Sequence, residues 1–251
     1  MLNMLQFGQP TRLPTLLIAH GLYGSGRNWG VIAKRMSQTR QVIAVDMRNH
    51  GLSDWNESHT YDDLASDLAE IANQTGAPMD VVGHSMGGKA AMVLALLHPN
   101  LVNRLVVADI APVAYGHSQI QFIEAMKAVD LPQVTRRSDA ESQLGALGVD
   151  KSLQSFFTQS LDVPEKRWRL NLDVLANQMG HIMSFPDITG TYGGPTLFLS
   201  GGASDYVTAH HRPGIKALFP NAHFAKIPGA GHWLHAEKPR EFEASLAAFF
   251  S

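Results

Sequence analysis

The chain has 251 residues, 45% of them apolar and 17% charged, with a formal net charge of −2. That length fits one α/β domain carrying an insertion, and that composition fills a sizeable core. The charge balance excludes a basic field for nucleic acid and a polybasic membrane patch, and no apolar run reaches the length of a membrane span. With no cysteine there are no disulfides and no thiol chemistry. Residues 1–6 lack a cationic segment ahead of an apolar core, so a cytoplasmic protein is expected rather than a secreted one.

In chain order, Thr15 to Ala19 reads as a strand, Asn28 to Gln38 as a helix and Gln41 to Val45 as a second strand. A helix follows from Tyr61 to Gln74. Met79 to Val82 is a buried strand, and the Ala/Leu/Met-rich run from Lys89 to His98 is the helix after it. Leu105 to Ala108, Pro195 to Ser200 and His223 to Ile227 continue the strand series. Pro239 suits the first turn of a last helix, with Phe242, Leu246 and Phe249 on one face. Strands alternating with helices predict an α/β fold, a mostly parallel sheet covered on both faces.

The alternation breaks between about Tyr115 and Tyr192, where the signals are helical. Ser138-Asp139-Ala140-Glu141 is a capping box. Pro164 is expected to start a helix on which Trp168, Leu172, Leu175 and Met179 recur at helical spacing. Residues 115–192 therefore read as a helical cap, inserted in a single domain of residues 1–251 and lying over the C-terminal ends of the strands. Phe122, Met126, Phe156, Phe157 and Trp168 are expected to form the cap's own core, with one or two of them lining an acyl pocket.

The chemistry concentrates at Gly83-His84-Ser85-Met86-Gly87, a G-x-S-x-G run between a strand and a helix. A serine on such a turn is a nucleophile elbow, and the flanking glycines let the turn close without Cβ clashes. The same residues nearly spell a P-loop, from Gly83 to Gly88-Lys89. That motif needs Ser or Thr after the lysine to hold a metal, and Ala90 stands there. Serine needs a base beside it, and at an elbow of this kind the partners follow in the order Ser, acid, His. His232, in Gly229-Ala230-Gly231-His232-Trp233 after the last strand, is the expected base. Activity is then expected to fall on the acid side as it becomes protonated. His235 reads as structural or capping, His20 as bonding backbone, and His50 as part of a loop tied by Arg48. No histidine spacing suits a metal, and neither metal nor cofactor is expected.

Two backbone N–H groups are needed to hold the oxyanion. The residue after the nucleophile, Met86, supplies one. Leu22, in the glycine-rich loop from His20 to Gly26, supplies the other. Two carboxylates compete for the role of triad acid. Asp109 follows the strand ending at Ala108, and Asp205 follows the strand ending at Ser200; either could accept the His232 Nδ1–H.

From about Leu16 to Phe250 the chain resembles the α/β-hydrolase superfamily, and within it the small bacterial YbfF-type esterases. The matching stretches are His20 to Ser25, Asp46 to Gly51, Gly83 to Lys89, Asp109-Ile110-Ala111-Pro112 and Gly231-His232-Trp233. The resemblance implies a Ser-His-Asp serine esterase for small-molecule acyl esters, with acyl-CoA thioesters as candidate substrates. It also points to Asp109 as the acid. The position of Asp205 is generally not acidic in that family, so this chain departs from the pattern by carrying both. A carbon–carbon bond hydrolase or lyase on the same triad is the alternative, since one scaffold hosts many chemistries. A lyase of that type needs basic groups in the cap for a polyanionic substrate; Arg136, Arg137, Lys166, Arg167 and Arg169 are available, although a solvated charged face is their commoner meaning.

Overall fold

A computed structural model describes all residues from Met1 to Ser251. Seven strands form the main sheet: β1 (Met4–Phe7), β2 (Leu16–Ala19), β3 (Val42–Val45), β4 (Met79–His84), β5 (Val102–Ala108), β8 (Thr196–Gly201) and β9 (Ala222–Ile227). Their spatial order is β1-β3-β2-β4-β5-β8-β9. Only the β1–β3 pairing is antiparallel. The edge strand β1 carries no sequence signal above, because it is four residues long and half-exposed.

The strands are apolar on both faces because both faces are covered. In β2, Leu17 and Ala19 join one core while Leu16 and Ile18 join the other; β5 divides Leu105 and Val107 from Val106 and Ala108 in the same way. On one side lie α2 (Tyr61–Thr75), α3 (Met86–Leu97) and α9 (Arg212–Leu218). On the other lie α1 (Gly30–Met36), α10 (Leu234–Glu237) and α11 (Pro239–Phe250), with Trp29 beside them.

The chain steps from β2 to β3 on one side and returns to place β4 on the other side of β2. The strand order therefore reverses between β2 and β4, and the loops at their carboxyl ends diverge around a crevice, the usual ligand position in open α/β sheets.

Between β5 and β8 lie α4 (Ile120–Lys127), α5 (Arg137–Ala146), α6 (Lys151–Thr158), α7 (Leu172–Asn177) and α8 (Met179–Met183). The helix expected from Pro164 does not form. Leu161–Asp162 (β6) and Arg167–Trp168 (β7) instead pair as an antiparallel hairpin. Pro164 sits in its turn, Lys166 takes a left-handed φ of 53°, and Arg169 pairs with Asp162 at 2.9 Å. Proline suits a turn as well as a helix start, so its presence alone could not decide. Trp168 is buried with its Nε1–H donating to the Met126 carbonyl at 2.9 Å. No helix is long and apolar enough to cross a membrane.

Candidate active site

Ser85 sits where β4 turns into α3, at φ 52° and ψ −118°, a left-handed conformation that places it at the apex of the turn. The turn can be this tight only because of its glycines. A Cβ on Gly83 would lie 2.2 Å from the Gly87 carbonyl oxygen, and one on Gly87 would lie 2.4 Å from that of Ala19. The first turn of α3 thus rests directly on β2 and β4. The Ser85 amide donates to the Ala108 carbonyl at 3.1 Å, which fixes the elbow to the end of β5.

Asp109 follows β5 immediately and is fully buried, with φ 51°. Its Oδ1 accepts from the Gly201 amide at 2.9 Å, and its Oδ2 accepts from the Ser204 hydroxyl at 2.5 Å. The same Oδ2 lies 2.8 Å from His232 Nδ1, and His232 Nε2 lies 3.2 Å from Ser85 Oγ. Asp205, by contrast, is exposed and makes no contact with His232. Its neighbour Tyr206 stacks on the His232 ring, with centroids 4.0 Å apart and planes 21° apart. Loops after β4, β5, β8 and β9 thus meet at one point.

The His232 loop is held from below by His84, whose Nε2–H donates to the His232 carbonyl at 2.8 Å. That bond leaves His84 Nδ1 without its proton in the neutral ring. Burial, with His235 and His232 nearby, pushes the His84 pKa well down. His235 stacks on Trp29 at 4.3 Å, and burial lowers its pKa to about 3. His20 and His50 use both ring nitrogens on backbone. His20 Nδ1–H donates to Gly21 and Nε2 accepts from Met47, while His50 Nδ1–H donates to Arg48 and Nε2 accepts from Tyr23. They stitch the loop after β2 to the loop after β3. Arg48 anchors the second loop through Asp67 at 2.6 Å and Asp63 at 3.3 Å.

Leu22 and Met86 lie on either side of Ser85, after β2 and at the start of α3, and both line the same cavity. Neither amide donates to another backbone group. Met86 is the first residue of α3, where helix amides have no partner within the helix and the dipole favours an anion.

The cavity encloses about 310 Å³ and is lined by Ser85 and His232. Tyr23, Phe122, Phe156, Phe157 and Trp233 form an aromatic wall. The Tyr23 and Phe157 rings meet edge-on at 5.3 Å, and Phe122 and Phe157 are 5.4 Å apart. Three of the five large side chains assigned above to the insertion's core thus reach the cavity, more than the one or two expected. Met126 and Trp168 do not line it.

Three contributors escaped the sequence analysis. Ser204 and Tyr206 flank Asp205 in the stretch that drew attention for its acid. Lys89 lies one turn after Ser85, almost fully buried, with Nζ donating to the carbonyls of Met183 at 3.1 Å and Ser184 at 2.5 Å. In the sequence it stands only as the end of the P-loop-like run and of the family-matching stretch Gly83 to Lys89, with no role attached. It has no carboxylate partner, and burial lowers its pKa to about 7.

Comparison with known proteins identifies the family. A family model for the alpha/beta hydrolase fold matches residues 14–239. The chain is 42% identical to the mouse (Mus musculus) sn-1-specific diacylglycerol lipase ABHD11, over 95% of this chain and 81% of that protein. It is 37% identical to esterase YbfF of Escherichia coli, over 89% and 88% of the two chains. Among solved structures, a marine microorganism esterase superposes with a TM-score of 0.93 at 37% identity, covering 99% of this chain and 98% of the other. The chain belongs to the α/β-hydrolase fold family, and it is a hydrolase.

Proposed function

We propose that this protein is a serine esterase that cleaves carboxylic acyl esters through an acyl-enzyme, with Ser85 as nucleophile, His232 as base and Asp109 as acid. One observation carries the reading: the unbroken run of contacts from Ser85 Oγ through the His232 ring to Asp109, beside an aromatic-walled cavity. The naming of relatives as an esterase and as a diacylglycerol lipase supports an ester bond as the target.

In the first step His232 Nε2 takes the Ser85 proton as Oγ bonds to the acyl carbon. The free amides of Leu22 and Met86 donate to the oxyanion that forms. The ester C–O bond then breaks, and the leaving alcohol departs with the proton held by His232. Water repeats the sequence on the acyl-enzyme: His232 accepts its proton, the acid is released and Ser85 recovers a proton. Asp109 keeps its charge throughout and stabilises the imidazolium. The segment of residues 115–192 acts in this reading as a cap whose phenylalanines receive the acyl chain. Thioesters pass through the same steps with a thiol as leaving group.

The deciding experiment is kcat/KM for p-nitrophenyl esters of increasing acyl length, with Ser85→Ala as the blank. A chain-length optimum that disappears in the variant is the expected result. Absence of Ser85-dependent turnover across the series would sink the reading.

A further inference from the structure

Beside the main cavity lies a second pocket of about 310 Å³, lined by Arg27, Arg137, Arg169, Gln159, Asp162 and the turn of the β6–β7 hairpin. Its charge is unbalanced. Arg169 is committed to Asp162, with Nη2 and Nε at 2.9 Å and 3.2 Å from Oδ2. Arg27 and Arg137 are exposed, and neither makes an ion pair with any carboxylate. The nearest helical partner for Arg137, Glu141 one turn on, instead accepts a hydrogen bond from Thr158 at 3.1 Å. Three guanidinium groups therefore face one carboxylate.

The position of Arg137 sharpens the point. It is the first residue of the ten-residue helix α5, preceded by Arg136 at the cap. A helix N-terminus carries about half a positive charge, which disfavours cations there. The acid of that first turn, Asp139, is engaged by Arg136 and by the Thr135 and Arg136 amides, which leaves Arg137 without a partner. A dipole end and forked guanidiniums together suit a multiply charged oxyanion.

The pocket also adjoins the reaction site. Asn28, next to Arg27, lines the main cavity, and its Nδ2–H donates to Gln159 Oε1 at 2.5 Å. This one hydrogen bond joins Asn28 of the first cavity to Gln159 of the second. We propose that the Arg27–Arg137–Arg169 pocket binds a phosphate group carried on the leaving-group side of the substrate. The proposal rests on the esterase reading above. An acyl chain against the phenylalanines directs its alcohol or thiol towards the rim, where a phosphate can reach the arginines. Two kinds of substrate present that chemistry: a thioester of a nucleotide-linked thiol, and an acyl ester of a phosphorylated glycerol.

The test compares butyryl-CoA with butyryl-N-acetylcysteamine, and 1-butyryl-glycerol 3-phosphate with 1-butyryl-glycerol, in wild type and in the double variant Arg27→Gln, Arg137→Gln. In at least one pair the wild type is expected to favour the phosphate-bearing member tenfold or more in kcat/KM. The double variant should erase that preference, chiefly through KM, and high salt should weaken it. Which pair responds identifies the source. p-Nitrophenyl butyrate, with no phosphate, should change less than about twofold between the two proteins. Equal loss on all substrates, or no phosphate preference in either pair, overturns the pocket while leaving the esterase reading intact. If p-nitrophenyl butyrate itself is not turned over, it is the esterase reading that fails. Calorimetry of coenzyme A and glycerol 3-phosphate then tests the pocket without turnover: binding weakened tenfold in the double variant supports it, and no binding of either ends it.

Discussion

Asp109 and Asp205 both follow strand ends beside the His232 loop, but only Asp109 has surroundings that hold a buried charge. Two donors, the Gly201 amide and the Ser204 hydroxyl, satisfy its carboxylate before His232 is counted. Without such partners a buried carboxylate is costly, and with them it is held in place and fixes the ring it faces. Asp109→Asn puts an amide in its place and is expected to lower kcat by about 10⁴-fold, the scale known for this change in a Ser-His-Asp triad. Asp205→Asn, on an exposed side chain, should stay within about twofold of wild type. Ser204→Ala removes one hydrogen bond to a charged group, a change of about 1.5–3 kcal/mol if fully felt. It should cost about tenfold in kcat with KM nearly constant, because Ser204 acts through Asp109 and touches no substrate. Steady-state kinetics on one p-nitrophenyl ester ranks the three variants. A loss in Asp205→Asn as large as that in Asp109→Asn would reassign the acid.

At the level of elements, the elbow depends on α3 pressing against β2 and β4 with no side chain between them. Gly83→Ala drives a Cβ to 2.2 Å from the Gly87 carbonyl oxygen, whereas a Cβ on Gly214 in α9 meets nothing within 4 Å. Chemical denaturation should show Gly83→Ala destabilised by about 1–3 kcal/mol, as for an overpacked core. Gly214→Ala should be neutral or stabilised by up to about 1 kcal/mol, from helix propensity alone. The other end of the site depends on Lys89, which ties α3 to the carbonyls at the end of α8. Burial brings its pKa from 10.5 down to about 7. Between those values the unfolded chain holds a proton that the folded chain has released, so stability should rise with pH through that window. Urea unfolding at pH 7 and pH 9 should show wild type gaining up to about 1.4 kcal/mol per pH unit relative to Lys89→Met. Parallel curves for the two proteins would mean that Lys89 keeps its ordinary pKa. Such contacts also mark what sequence can reveal. The parallel strands were legible because burial on both faces makes them apolar runs bounded by turns. β1 and the β6–β7 hairpin were not, being four residues or fewer and lacking any period. Ser85, His232 and the rival acids stood out by motif and chain order. The choice between the acids depended on a left-handed turn at Asp109 and on Ser204 beyond the neighbouring strand β8, neither of which leaves a pattern in the chain.

Across the whole molecule, the site sits among histidines that folding keeps neutral. His20, His50, His59, His84 and His235 are all buried, and burial is the leading cause that lowers the pKa of each, to about 3 for His59 and His235. Their rings pack edge to edge or stack around the loops after β2, β3, β4 and β9, as in His20–His50 at 5.1 Å and His84–His235 at 4.6 Å. Protonating any one of them would place a cation in a buried site, and for His20, His50, His59 and His84 among hydrogen-bond partners already set. In the unfolded chain each titrates near its ordinary 6.5. Below that pH the unfolded state therefore binds protons that the folded state refuses, and stability must fall as pH falls. A histidine whose pKa falls to about 3, as in His59 and His235, contributes a slope approaching about 1.4 kcal/mol per pH unit once the pH is a unit below 6.5. These two together approach about 3 kcal/mol per unit against a typical domain stability of about 5–15 kcal/mol, and His20, His50 and His84 act in the same direction. Carboxylates with lowered pKa values, such as Asp63 and Asp162, titrate only below their ordinary 3.8 and cannot produce this loss. Loss of stability is thus expected to begin below pH 6.5, above the range where carboxylates act, and to be followed by circular dichroism as the pH is lowered. Replacing His59 by Gln should make the stability–pH slope between pH 6.5 and pH 5 shallower by about one proton. Cooperative structure that survives unchanged to pH 4 would show that these rings accept protons in place, and that the loops around Ser85 are looser than their packing implies.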